Sequence, residues 1–236
     1  MSGNKSNETR YVPQWMTELN NQKTTHFNPV QRVEQPTKEF IKFEGKIIWC
    51  AFANVLASYA EDILTQIDSN EMSEVVYGFD MEWPVSFIGK QKKTALIQIC
   101  TDHSTCYLFH VYYIEKLPSI FVHLINHPRV RWSGVYIKND FKKLSKDFNI
   151  DVSGALSKVI DLGSYANKVL NFDTSSIWSM VNLVQNLLKK DVNKDHNIRM
   201  GNWHDTNLNQ LQCMYAATDA YISLILYEHL KKIEVK

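Results

Sequence analysis

The sequence predicts an α/β fold, a mixed β-sheet flanked by α-helices. Short apolar runs with the two-residue alternation of strands crowd the chain up to Tyr136. Stretches with helical periodicity dominate the remaining hundred or so residues, and strands first with helices mostly later is the order a helix-flanked sheet produces. The 44% hydrophobic content over 236 residues is enough for one well-packed domain.

Residues 1 to 40 are rich in Asn, Gln, Thr and Lys, carry Pro13, Pro29 and Pro36, and lack sustained periodicity. They read as a flexible N-terminal tail, with Trp15 and Phe27 as docking points, ahead of a domain over 41–236. The pattern then predicts a strand near 46–52 and a helix near 54–66, followed by strands at 75–80, 94–101, 105–111 and 130–136. Helices are expected near 117–126, 139–147, 161–169, 176–189 and 209–231. The last opens on Asn209 as N-cap with Gln212 reaching back, and its small Ala216, Ala217 and Ala220 would let it approach a sheet closely.

Composition narrows the function classes. The first ten residues are polar and no apolar run reaches membrane-span length, the longest, Ile47 to Ala60, being interrupted by Asn54, so neither a signal peptide nor a span is expected. Cys50, Cys100, Cys106 and Cys213 form no Cys-x-x-Cys pair and read as reduced core thiols of an intracellular protein. No His-Glu-x-x-His pattern is present, so a histidine metal site is not expected; His110 and His123 read as packed or half-buried. Trp132, Trp178 and Trp203 read as core from their apolar neighbours.

Chemistry concentrates in three short acidic blocks. In Phe79-Asp80-Met81-Glu82-Trp83, strand alternation sends Asp80 and Glu82 to one side and Phe79, Met81 and Trp83 to the other, and Pro84 ends the strand. In Lys138-Asn139-Asp140, Asp140 lies near the N-terminus of a helix whose buried stripe is Phe141, Leu144 and Phe148. In Tyr215-Ala216-Ala217-Thr218-Asp219, the tyrosine and the aspartate project from one helix face a turn apart. Any one of these acids alone reads as a cap or a solvated group. Together they sit where an unpaired carboxylate is costly and a divalent cation would remove the cost. Such a set suits phosphodiester hydrolysis, where two hard cations ~3.5–4 Å apart activate water and stabilise the leaving oxygen. Carboxylate oxygens select Mg²⁺ or Mn²⁺, and a tyrosine, with a reference pKa of about 10, suits positioning rather than proton abstraction.

The order Phe-Asp-x-Glu-Trp-Pro, Gly-Val-x-Ile-x-x-Asp and Tyr-Ala-Ala-Thr-Asp-Ala-Tyr resembles the DEDD 3′→5′ exonucleases, and specifically the exonuclease domain of the Werner syndrome protein and its stand-alone relatives. Segments 95–100, 106–111, 178–184 and 199–203 agree, and the likeness covers roughly 45–232. With Met214 at the family's histidine position and Tyr215 at its tyrosine position, the chain is similar to the tyrosine subclass. The resemblance implies a ribonuclease H-like fold, with Asp80, Glu82, Asp140 and Asp219 as ligands of two divalent cations, Mg²⁺ or Mn²⁺, and Tyr215 orienting the attacking water. It implies release of nucleoside monophosphates from DNA 3′ ends, in repair or replication in the nucleus, with a helicase or repair protein as partner. Ribonuclease D-like trimming of RNA and a non-catalytic scaffold are the alternatives. Gly201 and Lys142 depart from the family pattern, at positions that bear on substrate contact.

A net charge of +1 means that any phosphate-binding surface is local. Basic clusters occur at Lys90, Lys92 and Lys93, at Lys138, Lys142, Lys143 and Lys146, and at Lys189, Lys190, Lys194 and Arg199. From these, Lys92, Lys93, Lys142 and Arg199 are the candidate nucleic-acid contacts.

Overall fold

The computed structural model describes residues 39–85, 91–172 and 177–235. The expected tail with Trp15 and Phe27, and Lys90, lie outside the described residues. In chain order the elements are strand β1 (Phe40–Ile41), β2 (Lys46–Cys50), helix α1 (Ala53–Ser69), β3 (Val75–Glu82), β4 (Leu96–Cys100), β5 (Thr105–His110), α2 (Ser119–Ile125), β6 (Val130–Gly134), α3 (Ile137–Phe148), α4 (Ser153–Lys158), β7 (Ile160–Asp161) and α5 (Leu162–Val169). There follow α6 (Met180–Leu183), which runs into a π-helical turn (Val184–Leu188), then β8 (Asp191–Val192), α7 (His196–Arg199) and α8 (Gln210–Glu234). The main sheet has the order β2-β5-β4-β3-β6-β7; β4 is antiparallel to both its neighbours and the other pairings are parallel. Strands β1 and β8 form a separate parallel pair.

Strand β3 runs through the middle of this sheet and its alternation divides the core. Tyr77, Phe79 and Met81 face a cluster with Leu56 and Ile63 of α1, Phe121 of α2 and Phe141 and Leu144 of α3. The other face is covered by α8, whose Ala216, Ala217, Ala220 and Leu224 pack with Leu96, Cys100, Cys106, Leu108 and Phe43. Gly78 makes this close approach possible: a Cβ there would lie 2.0 Å from the Ala220 carbonyl oxygen and 2.9 Å from the Leu224 nitrogen. Ser133 of β6 fastens the same helix by donating to the Ser223 carbonyl at 3.0 Å. At the start of α8, Asn209 and Gln212 form the expected capping box, with bonds of 3.0 and 3.1 Å.

Several expectations change. The helix predicted over 176–189 begins at Met180, with the Ser179 hydroxyl accepting from the Asn182 N–H at 3.2 Å. It widens to π geometry at Val184 and ends at Lys189, whose φ is 55°. Helix α3 starts two residues before the predicted 139, after Tyr136 turns into left-handed backbone at φ 59°. Helix α4 has no counterpart among the predicted elements. His123 is exposed rather than packed, and its ring centroid lies 5.7 Å from that of His127, an i,i+4 pair that overturns the expectation of no two histidines at that spacing. Trp132, Trp178 and Trp203 are buried, as their neighbours implied. All four cysteines are free, three buried and Cys213 partly so. Among the described residues no helix is long and apolar enough to cross a membrane.

Candidate active site

The end of β3 delivers Asp80 and Glu82 on the α8 side of the sheet, because they continue the alternation that places Gly78 against that helix. From α8, Asp219 and Tyr215 meet them, 5% and 9% exposed. One carboxylate oxygen from each of Asp80, Glu82 and Asp219 lies within 4.8 Å of the others. These residues, with Tyr215, line a cleft of about 630 Å³ that Asp140 of α3 borders from its own wall, together with Lys143, Lys194 and Arg199. Four of the five residues expected to act together therefore converge tightly. Asp140 faces the same cleft but stands outside the three-carboxylate group.

The electrostatics follow from this crowding. Burial holds the Asp80 carboxyl well above its usual range, with the charges of Asp219 and Asp140 adding to it and the Met81 N–H and Lys194 opposing. Burial, then Asp80 and Asp219, do the same to Glu82, against Arg199. Asp219 is raised by burial to about 6, with Lys194, a hydrogen bond from Tyr215 and Arg199 holding it down. Asp140 is raised to about 7 by burial and by the charge of Asp161, with Lys143 opposing. Burial and the surrounding carboxylates push the Tyr215 phenol up, so it stays protonated and donates to Asp219.

The donor set fits a hard divalent cation: three convergent, mutually repelling carboxylates, Asp219 buried and Asp80 and Glu82 half-buried, with oxygen ligands only. Next to them Gln98 stands directly opposite Asp80 in the β3-β4 ladder, its buried amide without a hydrogen-bond partner among the described residues. Asp80, Glu82 and Asp219 are the residues that would hold a cation, and Asp140 lines the same cleft.

The basic residues divide. Arg199 lines the cleft. Lys92 and Lys142 are exposed but outside its lining. Lys93 also lies outside the lining: its ammonium donates to the carbonyls of Tyr112 at 3.2 Å and Ile114 at 2.7 Å and sits 4.3 Å from the Phe148 ring centroid. Two other cations stand at the cleft instead. Lys194 reaches it from the segment before α7, and Lys143, 9% exposed, pairs with Asp147 at 2.8 Å and lies 5.0 Å from the centroid of the Trp83 ring. The signal for Lys143 is its place one turn after Asp140 on α3, which puts both on one face. Trp83, expected on the core side, is half-buried and also lines the cleft.

A family model described as 3′-5′ exonuclease matches residues 57–234. The chain belongs to the 3′-5′ exonuclease family. Relatives named 3′-5′ exonuclease from Drosophila yakuba and Drosophila melanogaster are 39% identical over 209 residues, covering 88% of this chain and 58% and 59% of theirs. The chain thus spans a little under three-fifths of the length of these relatives. Among solved structures, the catalytic core of RRP6 from Trypanosoma brucei matches with a TM-score of 0.65 at 17% identity, over 86% of this chain and 51% of that one. Trypanosoma brucei RNase D matches with a TM-score of 0.62 at 17% identity, over 80% and 65%. These likenesses establish the ribonuclease H-like fold. The exonuclease family is divalent-metal dependent, and the carboxylate cluster lies inside the matched segment.

Proposed function

We propose that the protein is a metal-dependent 3′→5′ exonuclease of the tyrosine subclass that hydrolyses phosphodiester bonds at DNA 3′ ends and releases nucleoside monophosphates. The observation that carries this is the convergence of Asp80, Glu82 and Asp219 within 4.8 Å in a cleft shared with Asp140 and Tyr215. Asp80, Glu82, Asp140 and Asp219 would hold two divalent ions, Mg²⁺ or Mn²⁺, which when bound supply Lewis acidity at the phosphoryl oxygens. The chain's own residues do the rest. Lys194 and Arg199, on the cleft wall, attract the phosphate and orient its free oxygens. Tyr215 stays protonated and donates to Asp219, leaving a lone pair of its phenolic oxygen to accept from water at the cleft, which fixes that water's direction without taking its proton. Trp83, held by the Lys143 ammonium, closes one side of the cleft.

Choice of DNA rests on the resemblance to the Werner-type domain, and so do a nuclear location and a helicase or repair partner. The test is a 5′-labelled DNA strand and a matched RNA strand, each incubated with Mg²⁺ or Mn²⁺. A ladder shortening from the DNA 3′ end supports the proposal, and shortening of RNA alone replaces it with RNA trimming.

A further inference from the structure

A second pocket, of about 460 Å³, is built between β6, the N-terminus of α3, α5 and the C-terminal end of α8. Arg131, Lys138, Lys168 and Lys231 line it, against Asp161 and Glu234. Its ion pairs are unbalanced: Lys168 and Lys231 share the single carboxylate of Glu234 at 3.0 and 2.9 Å. Arg131 shares Glu74 with Lys158 in the same way, at 3.6 and 3.7 Å. Each acid thus neutralises one of two cations, and Lys138 is exposed in the first turn of α3. Tyr165 and Tyr227, both half-buried in the same lining, stack with ring centroids 5.9 Å apart and an interplanar angle of 26°. Excess positive charge beside an aromatic pair is what a nucleic-acid strand recognises, the cations taking phosphates and the rings a base or sugar.

The pocket's position ties it to the cleft. Asp161 lines the pocket and its charge is felt by Asp140, while Lys138 and Asp140 occupy one helical turn. We infer that this pocket is a second nucleic-acid contact, holding the backbone of the substrate strand several nucleotides from the 3′ end that occupies the cleft. The inference rests on the exonuclease proposal for the direction of the strand, but not for the pocket's affinity for phosphates.

The test compares the wild-type protein with the triple variant Lys138→Ala, Lys168→Ala, Lys231→Ala. Two substrates are used, a 12-nucleotide single strand and the 4-nitrophenyl ester of thymidine 5′-phosphate, which is too short to reach the pocket. The variant should raise KM for the strand roughly tenfold or more at low salt and make its log–log salt dependence shallower by about 2, three phosphate contacts at ~0.7 each. The kcat for the strand and both constants for the ester should be unchanged. An unchanged KM and salt slope for the strand, or an equal rise for the ester, overturns the inference. Should the triple variant not fold, Lys138→Glu alone must raise KM for the strand and spare the ester. If the wild type cleaves neither substrate, the exonuclease proposal fails by itself. Fluorescence anisotropy of the labelled strand in EDTA then decides the pocket: weaker binding by the triple variant supports it, and equal binding overturns it.

Discussion

Asp219 illustrates how one residue can cost stability and supply function. It is buried in α8, its carboxyl raised to about 6, with Asp80 and Glu82 close by. Asp219→Asn should abolish turnover, by roughly 10²–10³-fold or more. The same change should raise the metal-free melting temperature, because a repelling buried charge is gone; each kcal/mol is worth about 2–4 °C in a domain of this size. Differential scanning fluorimetry in EDTA beside an activity assay checks both, and a lower melting point would show that Asp219 is structurally paired. Tyr215→Phe removes a hydrogen bond and no ligand, so its loss should be smaller, about 10–100-fold, with metal affinity less affected. At this scale the sequence is informative about the acids, since strand and helix periodicity already put Asp80 with Glu82 and Tyr215 with Asp219. Lysines are harder. A lysine stem is long and flexible, so position in the chain does not say whether the ammonium reaches the cleft, as with Lys194, or folds back on carbonyls, as with Lys93.

Two elements make the site, β3 and α8, and their separation is set by Gly78. Gly78→Ala would drive a Cβ to 2.0 Å from the Ala220 carbonyl oxygen, on the helix's own backbone, so the helix must shift. The substitution should cost about 1–3 kcal/mol of stability. It should also weaken metal binding, because Asp219 moves away from Asp80 and Glu82. Chemical denaturation and a metal titration read the two effects separately; an alanine variant with unchanged affinity for Mn²⁺ would mean that the site does not depend on this contact. Helix α8 and the long strands are legible because each carries a sustained period and, for α8, a capping box. Elements the sequence does not reveal are short or lack a period. Strands β7 and β8 have two residues each, α4 has six and contains Gly154, and the π turn at Val184–Leu188 has the same residue types as an α-helix.

For the molecule as a whole, the metal site couples stability to pH. A carboxyl whose folded pKa is raised binds its proton more tightly in the folded state, so its contribution is fully present below the unfolded value near 4 and is lost as pH rises through the folded value. For Asp219 and Asp140 those folded values are about 6 and about 7. In EDTA the melting-temperature advantage of the double variant Asp140→Asn, Asp219→Asn over wild type should therefore shrink as pH falls from about 7.5 to about 5.5. His110 and His127, whose pKa values burial lowers, act in the opposite direction but equally in both proteins, so they cancel in the difference. A constant difference across that range would mean that these carboxyls titrate normally. The stabilisation produced by Mg²⁺ should likewise be larger at the upper end of that range than at the lower, since protons compete for the same oxygens.

Whether Asp80 and Glu82 hold the metal for removal of nucleotides from DNA 3′ ends can be read from a 5′-labelled 3′-recessed duplex. Wild type and the double variant Asp80→Ala, Glu82→Ala are incubated with Mn²⁺ or with EDTA. Wild type should give a Mn²⁺-dependent ladder shortening from the 3′ end, with no shortening by the variant or in EDTA. A ladder that persists in the variant, or intact DNA with a wild-type protein that still binds it in Mn²⁺, would mean that these carboxylates do not support DNA 3′-end hydrolysis.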